Sequence, residues 1–491
     1  MDTLRILEVA SEVAPFARTG GLGDVLGSLP KALARLGHNV KVAMPRYGSI
    51  DISTHRLAST VMEFPVQVAG TPRVCRVDHL RDQRTKTDYY FLGNERYFGR
   101  KEFYLDPATG KDFADNDERF VFFSRAVIEL VRRLGWIPHI VHAHDWQSAL
   151  IPAYLRTLYA GDSMLADTKS VLTIHNLGYQ GLFPAKRFPL LGLPERMFYA
   201  VTGPFEFFGK MNFLKGGIAT ADWITTVSER YAQEIQSGPE FGCGLEGVLR
   251  ERSARLTGIL NGVDYLVWSP SRDKSIPFHY KLSNLSGKRQ NKIELLRSAG
   301  LPMRPSAPLI GMVSRLTDQK GWDLVAQAAD RLFAMNLQIV VLGNGEAKYQ
   351  ELLRELEKKY PGKLKAYLAF DDALAHQIEA AADMFLMPSR WEPCGLNQMY
   401  SLKYGTVPIV REVGGLADTI FPFDSETNDG NGFVFKEYTA EAMLDAVEQA
   451  VRLFGQKRTW SCLMKAGMAA DFSWEASARK YAELFVRLGA R

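Results

Sequence analysis

The chain has 491 residues, 46% of them hydrophobic and 23% charged, which is the composition of an ordinary globular protein with material for a large core. Its formal net charge of +5 arises from 60 basic and 55 acidic residues and fits an anionic small substrate better than a polynucleotide, which would require a concentrated basic patch. The four cysteines form no CxxC pair and no apolar run reaches the ~18 residues of a membrane span, so neither a disulfide framework, a structural zinc site nor a membrane anchor is expected.

The chain opens with the pattern of a βαβ unit. Leu4–Ala10 predicts a buried strand, and a Gly-rich loop over residues 19–24 follows it. Val25–Leu36 has the apolar spacing of a helix, and Asn39–Met44 begins the next strand. Three further short apolar segments continue this rhythm and predict strands: Ile140–Ala143, Ser170–Ile174 and Trp223–Val227. Strands that alternate with helices predict a parallel sheet covered on both faces.

A second run of the same kind begins near residue 260. Its predicted helices are Lys288–Ala299, Trp322–Met335, Tyr349–Lys359 and Asp372–Ala382, and its predicted strands are Leu309–Val313, Gln338–Leu342, Lys365–Phe370, Met384–Pro388 and Thr406–Val410. We therefore expect an α/β protein with two Rossmann-like, doubly wound domains at residues 1–260 and 261–470. A C-terminal helix over residues 471–491 is expected to pack back on the first domain. Because ligands bind at the carboxyl ends of such strands, two facing domains would form a deep cleft.

The first Gly-rich loop has the features of an anion site. Gly20 and Gly21 would bring backbone N–H groups and a helix N-terminus close to a ligand, and Arg18 adds a fixed positive charge. A tight turn that packs the helix on the strand is an equally good explanation of the glycines. Their spacing is not that of the dinucleotide fingerprint, so a dehydrogenase is not indicated. The similar Gly-Gly-Leu-Ala-Asp segment at 414–418 is explained either by a duplicated architecture or by chance.

Two charged loops follow predicted strands in the second half. Arg315 and Lys320 place two cations five residues apart, which suits the diphosphate of a leaving group, with a solvated basic loop as the alternative. Glu392 lies where a strand meets the next helix. From there a carboxylate could accept hydrogen bonds from sugar hydroxyls or stabilise positive charge at a sugar carbon, with a salt-bridged helix cap as the alternative.

The residues after Glu392 turn sharply into a helix. The free backbone N–H groups of Gly395, Leu396 and Asn397 would point at the same ligand. Cys394 is predicted to be a small buried residue rather than a nucleophile, because no thiolate-stabilising arrangement accompanies it.

Two predicted strand ends in the first half are rich in polar residues. His142-Ala143-His144-Asp145 ends one strand, and His175 follows the next. On a strand His142 and Asp145 point to opposite faces, and no further ligand set has metal-site spacing, so groups that hydrogen-bond a sugar are expected rather than a metal. The acidic triplet at 115–117 precedes a clear helical pattern and is predicted to cap that helix.

Taken together, these motifs resemble the bacterial glycogen synthases and plant starch synthases, glycosyltransferase family 5 with the GT-B fold. Eight stretches carry the resemblance in family order: 18–25, 142–146, 173–181, 213–229, 258–264, 313–321, 388–396 and 403–418. Each motif alone is weak, but the ordered set is specific. The resemblance implies a retaining transfer of glucose from ADP-glucose to the non-reducing 4-hydroxyl of an α-1,4-glucan such as glycogen, without a metal or another cofactor.

The resemblance also implies roles for residues of the second half. Arg315 and Lys320 match the pair that holds the donor's diphosphate. Glu392 matches the essential carboxylate beside the transferred glucose, with the backbone N–H groups of Cys394–Asn397 around it. Phe370 occupies the place of the aromatic side chain that stacks on the adenine, although its sequence context alone predicts a strand-end aromatic in the core.

In the first half, His175 and Asp145 match residues that contact the glucose, and Asn261 matches a polar residue that lines the cleft. Arg18 stands where the family usually has lysine, which keeps the charge but brings a larger, planar group. Related GT-B families carry a second glutamate eight positions after the first, whereas this chain has Tyr400, as family 5 does.

Three alternatives remain at the level of the sequence: a donor other than ADP-glucose, such as UDP-glucose; another GT-B transferase; and an inactive glucan-binding protein. Intact Glu392, Arg315 and Lys320 speak against the last of these. No nucleic-acid or membrane partner is expected. Because the N-terminal residues lack the apolar core and cleavage site of a signal peptide, the expected compartment is the cytoplasm.

Overall fold

The computed structural model describes residues 3–199 and 203–489, which divide into two compact units. Unit 1 contains the described part of residues 1–227, 232–262 and 474–491, and unit 2 contains residues 228–231 and 263–473. The C-terminal segment that begins at Trp474 therefore belongs to the same unit as the N-terminal segment. Among the described residues no helix is both long enough and apolar enough to cross a membrane.

The elements up to residue 262 alternate strands and helices, as expected. The strands are β1 (Arg5–Val9), β2 (Asn39–Pro45), β3 (Ala58–Val68), β4 (Thr71–Arg81), β5 (Asp88–Gly93), β6 (Ile140–His144), β7 (Lys169–Ile174), β8 (Leu182–Pro184), β9 (Glu206–Phe207), β10 (Lys210–Asn212), β11 (Trp223–Thr226) and β12 (Leu256–Gly258). The helices are α1 (Gly21–Arg35), α2 (Ile52–His55), α3 (Glu95–Phe98), α4 (Asn116–Leu134), α5 (Asp145–Ser148), α6 (Leu150–Arg156), α7 (Arg196–Tyr199), α8 (Phe213–Thr220), α9 (Glu229–Ser237), α10 (Pro239–Gly242) and α11 (Glu246–Glu251), with 3-10 turns at Ala185–Leu191 and Ser253–Arg255.

The main sheet of unit 1 has nine strands within the described residues, in the order β12-β11-β7-β6-β1-β2-β5-β4-β3. The strands from β12 to β5 are parallel, and β4 and β3 extend that edge antiparallel to β5. Numbered along the chain, the parallel strands have the 3-2-1-4-5-6 order of a doubly wound sheet with one further strand beyond, and the order reverses between β1 and β6. A small antiparallel sheet, β8-β10-β9, lies outside it.

The remaining elements follow residue 262. The helices are α12 (Ser286–Ser298), α13 (Trp322–Ala334), α14 (Ala347–Lys359), α15 (Asp372–Ala381), α16 (Asn397–Tyr404), α17 (Gly414–Thr419), α18 (Ala440–Phe454), α19 (Lys457–Ala469) and α20 (Trp474–Gly489), with a 3-10 turn at Asp318–Lys320. The strands are β13 (Leu309–Val313), β14 (Gln338–Leu342), β15 (Leu364–Tyr367), β16 (Met384–Met387), β17 (Val407–Arg411) and β18 (Phe433–Phe435).

Unit 2, whose residues are all described, has a parallel six-stranded sheet in the order β15-β14-β13-β16-β17-β18. Numbered along the chain this is again 3-2-1-4-5-6, with the reversal between β13 and β16. The central strands β13, β14 and β16 are almost wholly buried and consist mainly of apolar residues, as is typical of a parallel sheet covered on both faces. The predicted α/β class, with two doubly wound Rossmann-like sheets, is confirmed.

The C-terminal helix α20 packs within unit 1. Its inner face is buried, and Tyr481 and Phe485 contact the ring of His142 on β6, with ring centroids 5.4 and 5.2 Å apart. Glu475 at its start pairs with Arg35 at the end of α1 at 2.9 Å. The carboxyl-terminal helix thus covers the strands that carry polar residues in the centre of the sheet.

In four details the structure corrects or adds to the expectations. Strand β15 ends at Tyr367 rather than at Phe370, because the Asp371 side chain accepts a hydrogen bond from the Leu374 N–H group and caps α15. The two Gly-Gly-Leu segments follow the first strand of unit 1 and the fifth strand of unit 2, so they do not occupy equivalent positions. Helix α4 begins at Asn116, inside the acidic triplet rather than after it, and the Asp115 side chain at its N-cap position pairs with Arg100 at 2.6 Å instead of capping the helix. The antiparallel strands β3 and β4 were not predicted.

Candidate active site

The predicted site residues lie in loops that follow the carboxyl ends of strands. In unit 1 they follow β1 (Arg18, Gly20, Gly21), β6 (Asp145), β7 (His175) and β12 (Asn261). In unit 2 they follow β13 (Arg315, Lys320), β15 (Phe370) and β16 (Glu392, Cys394, Gly395, Leu396, Asn397). The pairs β1/β6 and β13/β16 are those between which the strand order reverses, the position at which ligands bind doubly wound sheets. Each unit therefore carries one polar group of loops at this position.

The Gly-rich loop of unit 1 is held in place by a buried carboxylate. Glu12 accepts hydrogen bonds from the backbone N–H and the hydroxyl of Thr19 at 2.5 and 2.7 Å, and from the Tyr104 hydroxyl at 2.8 Å. Arg18, just before the glycines, pairs with Asp24 at 2.8 Å. The loop backbone is thus positioned by side chains from two other segments, and no sequence pattern indicated the role of Glu12.

Gly20 is not explained by packing. Its φ of −171° is an extended conformation that any residue adopts, and a Cβ atom added there would meet nothing within 4 Å. In contrast, a Cβ at Gly27 would lie 3.0 Å from the Ala14 Cβ atom. Space is therefore open at the N-terminus of α1, where backbone N–H groups attract an anion. This favours the anion-site interpretation of Gly20 over the tight-turn alternative.

Asp145 has a strained backbone and a buried carboxyl group. Its φ of 55° is unusual for a residue with a side chain, and its carboxyl accepts a hydrogen bond from the His175 N–H at 2.7 Å. Burial raises the pKa of Asp145 to about 7, although backbone hydrogen bonds from His175 and Asn176 oppose the shift. The structure thus brings the loops after β6 and β7 together through this side chain.

A buried chain of hydrogen bonds leads to the other side of His175. Glu8 in β1 lies 2.8 Å from Nε2 of His144, and Nδ1 of His144 lies 2.9 Å from Nε2 of His175. Glu8 and His144 are fully buried, whereas His175 is only partly buried. The sequence analysis did not single out Glu8, although an acidic residue inside an otherwise apolar parallel strand is a signal that could have found it.

The described part of the chain contains a group of residues that could ligate a metal: one atom each of Glu8, His142 and His144 lies within 4.8 Å of the others. This corrects the expectation that no further ligand set has metal-site spacing, because Glu8 comes from a neighbouring strand that sequence spacing does not reveal. The same Glu8 oxygen lies 2.8 Å from His144 and 2.9 Å from His142. These distances describe a compact buried cluster, in which Oε1 of Glu8 and Nδ1 of His142 have no hydrogen-bond partner among the described residues.

In unit 2 the predicted cation and the predicted carboxylate are in contact. The Lys320 ammonium donates to Oε2 of Glu392 at 2.5 Å, and the Ser389 hydroxyl donates to the same oxygen at 2.9 Å. The side chains of Lys320 and Glu392 are only 16% and 8% exposed. The expectation that Glu392 is salt-bridged and the expectation that it faces a ligand site are therefore compatible, because its partner is itself a predicted site residue.

The loops after β13 and β16 are fastened to each other. The Arg390 N–H donates to the Gln319 carbonyl at 2.8 Å, and the Gln319 side chain donates to the Trp391 carbonyl at 3.1 Å. Gly321 has a φ of 74°, and a Cβ atom there would lie 2.0 Å from the Pro388 carbonyl oxygen. The position of Lys320 relative to Glu392 thus depends on a close backbone contact that only glycine permits.

The turn after Glu392 leads into α16. Gly395 has a φ of 69°, and the side chain of Asn397 donates to the Val313 carbonyl of β13 at 2.6 Å. Leu396 lies at the N-cap position of α16, so the first N–H groups of this helix have no partner within the helix itself. Cys394 is buried, as expected, and lies outside any disulfide of the described residues.

Phe370 and Asn261 differ in burial. Phe370 is 80% exposed, so the expectation of a core aromatic drawn from its sequence context is wrong, and its ring is available for stacking. Asn261 is 5% exposed, and within the described residues its Oδ1 atom has no hydrogen-bond partner. Tyr400, the residue that differs from related families, stacks on the ring of Trp268, and the two ring centroids are 3.8 Å apart.

Comparisons with known proteins identify the family of the chain. Residues 5–251 match the family model of the starch synthase catalytic domain, and residues 298–459 match that of group 1 glycosyl transferases. The chain is 50% identical over 482 residues to a glycogen synthase of Koribacter versatilis, covering 98% of each chain. It is 47% identical over 487 residues to a glycogen synthase of Anaeromyxobacter sp., covering 99% of this chain and 100% of that protein.

Two solved structures are also similar. The catalytic domain of starch synthase IV from Arabidopsis thaliana, bound to ADP and acarbose, matches with a TM-score of 0.91 and 33% identity over 100% of both chains. Sucrose-phosphate synthase from Thermosynechococcus elongatus matches with a TM-score of 0.60 and 18% identity over 99% of both chains, which indicates a shared fold.

Replacing Gly321 with alanine should destabilise unit 2 strongly. The new Cβ atom would combine a left-handed backbone with a backbone clash at 2.0 Å, and we expect a loss of on the order of 3 kcal/mol or more. Gly300 is the matched control: its φ is 67°, but a Cβ there meets nothing within 4 Å, so G300A should cost only about 1 kcal/mol. Thermal unfolding of both variants measures the difference, and equal midpoints would contradict the packing argument.

Replacing Asp145 with asparagine should change how stability depends on pH. A carboxyl whose folded pKa is raised binds a proton in the folded state between its ordinary pKa of 3.8 and about 7, so its contribution to stability falls as pH rises through that window. Relative to the wild type, D145N should therefore gain on the order of 2 to 3 kcal/mol between about pH 5 and pH 8. Unfolding curves of both proteins at several pH values test this, and a constant difference would show that Asp145 is ionised throughout.

Proposed function

The chain belongs to the family of bacterial glycogen synthases and starch synthases and is a glycosyltransferase; on that premise we propose that it transfers glucose from ADP-glucose to the non-reducing end of an α-1,4-glucan such as glycogen. The transfer retains the configuration at the sugar carbon and releases ADP. It requires no metal and no other cofactor. The observation that carries the proposal is the contact between Lys320 and Glu392 at the strand reversal of unit 2.

Unit 2 is proposed as the nucleotide-sugar side. Arg315 and Lys320 neutralise the charge that develops on the diphosphate as the glucose leaves. The exposed ring of Phe370 offers a face for the adenine, and the N–H groups of Cys394–Asn397 surround the sugar. When the diphosphate approaches Lys320, it competes with Glu392 for the ammonium, because both are anions within reach of one cation.

Unit 1 is proposed as the acceptor side. His175 and Asp145 contact the transferred glucose, and the unpartnered Oδ1 of Asn261 provides a further acceptor for a sugar hydroxyl. The Arg18 guanidinium and the open space at Gly20 admit an anionic group of the donor at the N-terminus of α1, which begins at Gly21. An arginine in place of the family's usual lysine keeps this charge.

In the proposed step the bond between the glucose C1 atom and the diphosphate oxygen breaks, and its electron pair leaves with ADP. A bond forms between C1 and the acceptor 4-oxygen on the same face of the sugar, and the proton of that hydroxyl passes to the departing phosphate oxygen. The donor and acceptor are positioned by the loops, and charge is stabilised by Arg315, Lys320 and the turn N–H groups. Glu392 stabilises positive charge at the sugar ring.

We place this reaction in the cytoplasm. All four cysteines lie in the described part of the chain, and none of them forms a disulfide, which accords with a reducing compartment.

Removing either partner of the contact in unit 2 should abolish most of the transfer. E392Q keeps the shape of the side chain but loses its charge, so we expect kcat to fall by about 100- to 1,000-fold with donor binding retained. K320M should in addition raise the KM for ADP-glucose, because the diphosphate loses a counter-charge. Release of ADP in the presence of glycogen is the measurement.

Lys348 provides the matched control for K320M. It is an exposed lysine of α14 that pairs at 2.6 Å with Asp318, which lies in the same loop as Lys320. K348M should therefore retain activity within about twofold. Near-full glucose transfer by E392Q or K320M, or an equal loss in K348M, would refute the assignment of the site.

The donor preference is tested through Phe370. We expect ADP-glucose to outcompete UDP-glucose, and F370A to raise the KM for ADP-glucose by about tenfold because an aromatic stacking contact is lost. Phe421, another phenylalanine of unit 2 that is 54% exposed, is the control, and F421A should leave this KM unchanged. A higher kcat/KM with UDP-glucose would overturn the donor assignment and leave the family membership intact.

A further inference from the structure

Three side chains from adjacent strands of unit 1 form a buried relay, defined here as Glu8, His144 and His175. Glu8 and His144 have no exposed surface, and the two links of the relay measure 2.8 and 2.9 Å. The relay ends at His175, which is only partly buried and is the residue proposed above to contact the glucose. The mechanism described so far uses neither Glu8 nor His144.

The direction of the hydrogen bonds in the relay follows from the chemistry of its first member. An ionised carboxylate only accepts hydrogen bonds, so Nε2 of His144 must carry a proton and donate a hydrogen bond to Glu8. In a neutral ring Nδ1 of His144 is then an acceptor, and Nε2 of His175 must donate to it. The remaining ring nitrogen of His175, Nδ1, is therefore left unprotonated.

We propose that Glu8 and His144 are positioning residues that fix the tautomer of His175, so that its Nδ1 atom presents a hydrogen-bond acceptor to a hydroxyl group of the bound sugar. This rests on the proposed function insofar as a sugar is the ligand, whereas the tautomer itself does not depend on the substrate. The backbone of His175 is also held in place, because its main-chain N–H donates a hydrogen bond to the Asp145 carboxyl at 2.7 Å.

The ionisation of the three groups agrees with this pattern. Burial alone would raise the pKa of Glu8, but His142 and His144 outweigh it and hold that pKa at about 2. Burial lowers the pKa of His144 to about 4 and holds the pKa of His175 well below its ordinary value. At neutral pH the carboxylate is therefore ionised and both of these rings are neutral, as the relay requires.

A second branch leaves the same Glu8 oxygen and does not reach His175. Nδ1 of His142 lies 2.9 Å from Glu8, and Nε2 of His142 lies 2.6 Å from the Thr173 hydroxyl, which in turn contacts the Thr225 hydroxyl at 2.5 Å. Thr225 is fully buried. It is thus part of the same polar cluster but is separated from His175 by several links, which makes it a matched control.

The tautomer is measured directly in the full-length wild-type protein. Nitrogen-15 chemical shifts of labelled histidines distinguish a protonated from an unprotonated ring nitrogen, and the signals of His175 are those missing in H175Q. We expect Nε2 of His175 to be protonated and Nδ1 to be bare. A protonated Nδ1 in the wild type would overturn the proposal without any variant of Glu8 having to fold.

The variant E8Q then tests the cause. Its amide offers N–H as well as C=O to His144, so the constraint on the relay is lost and His175 should populate both tautomers. The expected kinetic result is a fall in kcat of about 10- to 100-fold, as for other residues that orient a ligand-binding histidine, with the KM for ADP-glucose nearly unchanged. An unchanged tautomer in E8Q, or a shifted tautomer with unchanged kcat, would contradict the proposal.

T225V controls for destabilisation of the buried cluster. It removes one buried hydroxyl at constant shape, so it should lower the unfolding midpoint while leaving the tautomer of His175 and kcat within about twofold of the wild type. A loss of kcat in T225V equal to that in E8Q would reduce the role of Glu8 to stability. If the wild-type protein releases no ADP from ADP-glucose, the proposed function fails, and the nitrogen shifts still decide the tautomer.

Discussion

The common direction of the strands in each sheet is the constraint on which the site depends. Because parallel strands all end at one edge, the loops that follow them collect there, and the reversal of strand order separates the two loops on either side of it. Polar side chains can occupy these loops without breaking the ladders, whereas the strand interiors are buried on both faces and consist largely of apolar residues. Both units use this same arrangement, with unlike loops.

Glu8, His142 and His144 are exceptions that test this account, because they are polar residues inside strands. A buried carboxylate is tolerated only with hydrogen-bond partners, and the register supplies them: Glu8 pairs directly with His142, and His144 projects from the same face of β6 two residues later. The helix α20 closes over this cluster. The same register that places His142 and His144 beside Glu8 also directs the His144 ring towards His175.

Much of this could be predicted from the sequence, for physical reasons. The period of the apolar residues identified β1, α1, β13 and α13, and the glycines and charged residues after these strands identified the site loops. Contacts between strands could not be predicted, because the pairing of Glu8 with His142 depends on which strands become neighbours. The exposure of Phe370 was missed for a similar reason: the cap at Asp371 ends the strand early, which an apolar pattern does not reveal.

The ion pair in unit 2 has a consequence for how substitutions there are interpreted. Deleting the ammonium of Lys320 also leaves the Glu392 carboxylate, which is only 8% exposed, without this counter-charge. Such a buried carboxylate tends to take up a proton. Replacing Lys320 therefore alters two groups, and the measured loss of activity exceeds the contribution of the lysine alone. Only a double-mutant cycle, in which each partner is removed with and without the other, isolates the coupling free energy between them.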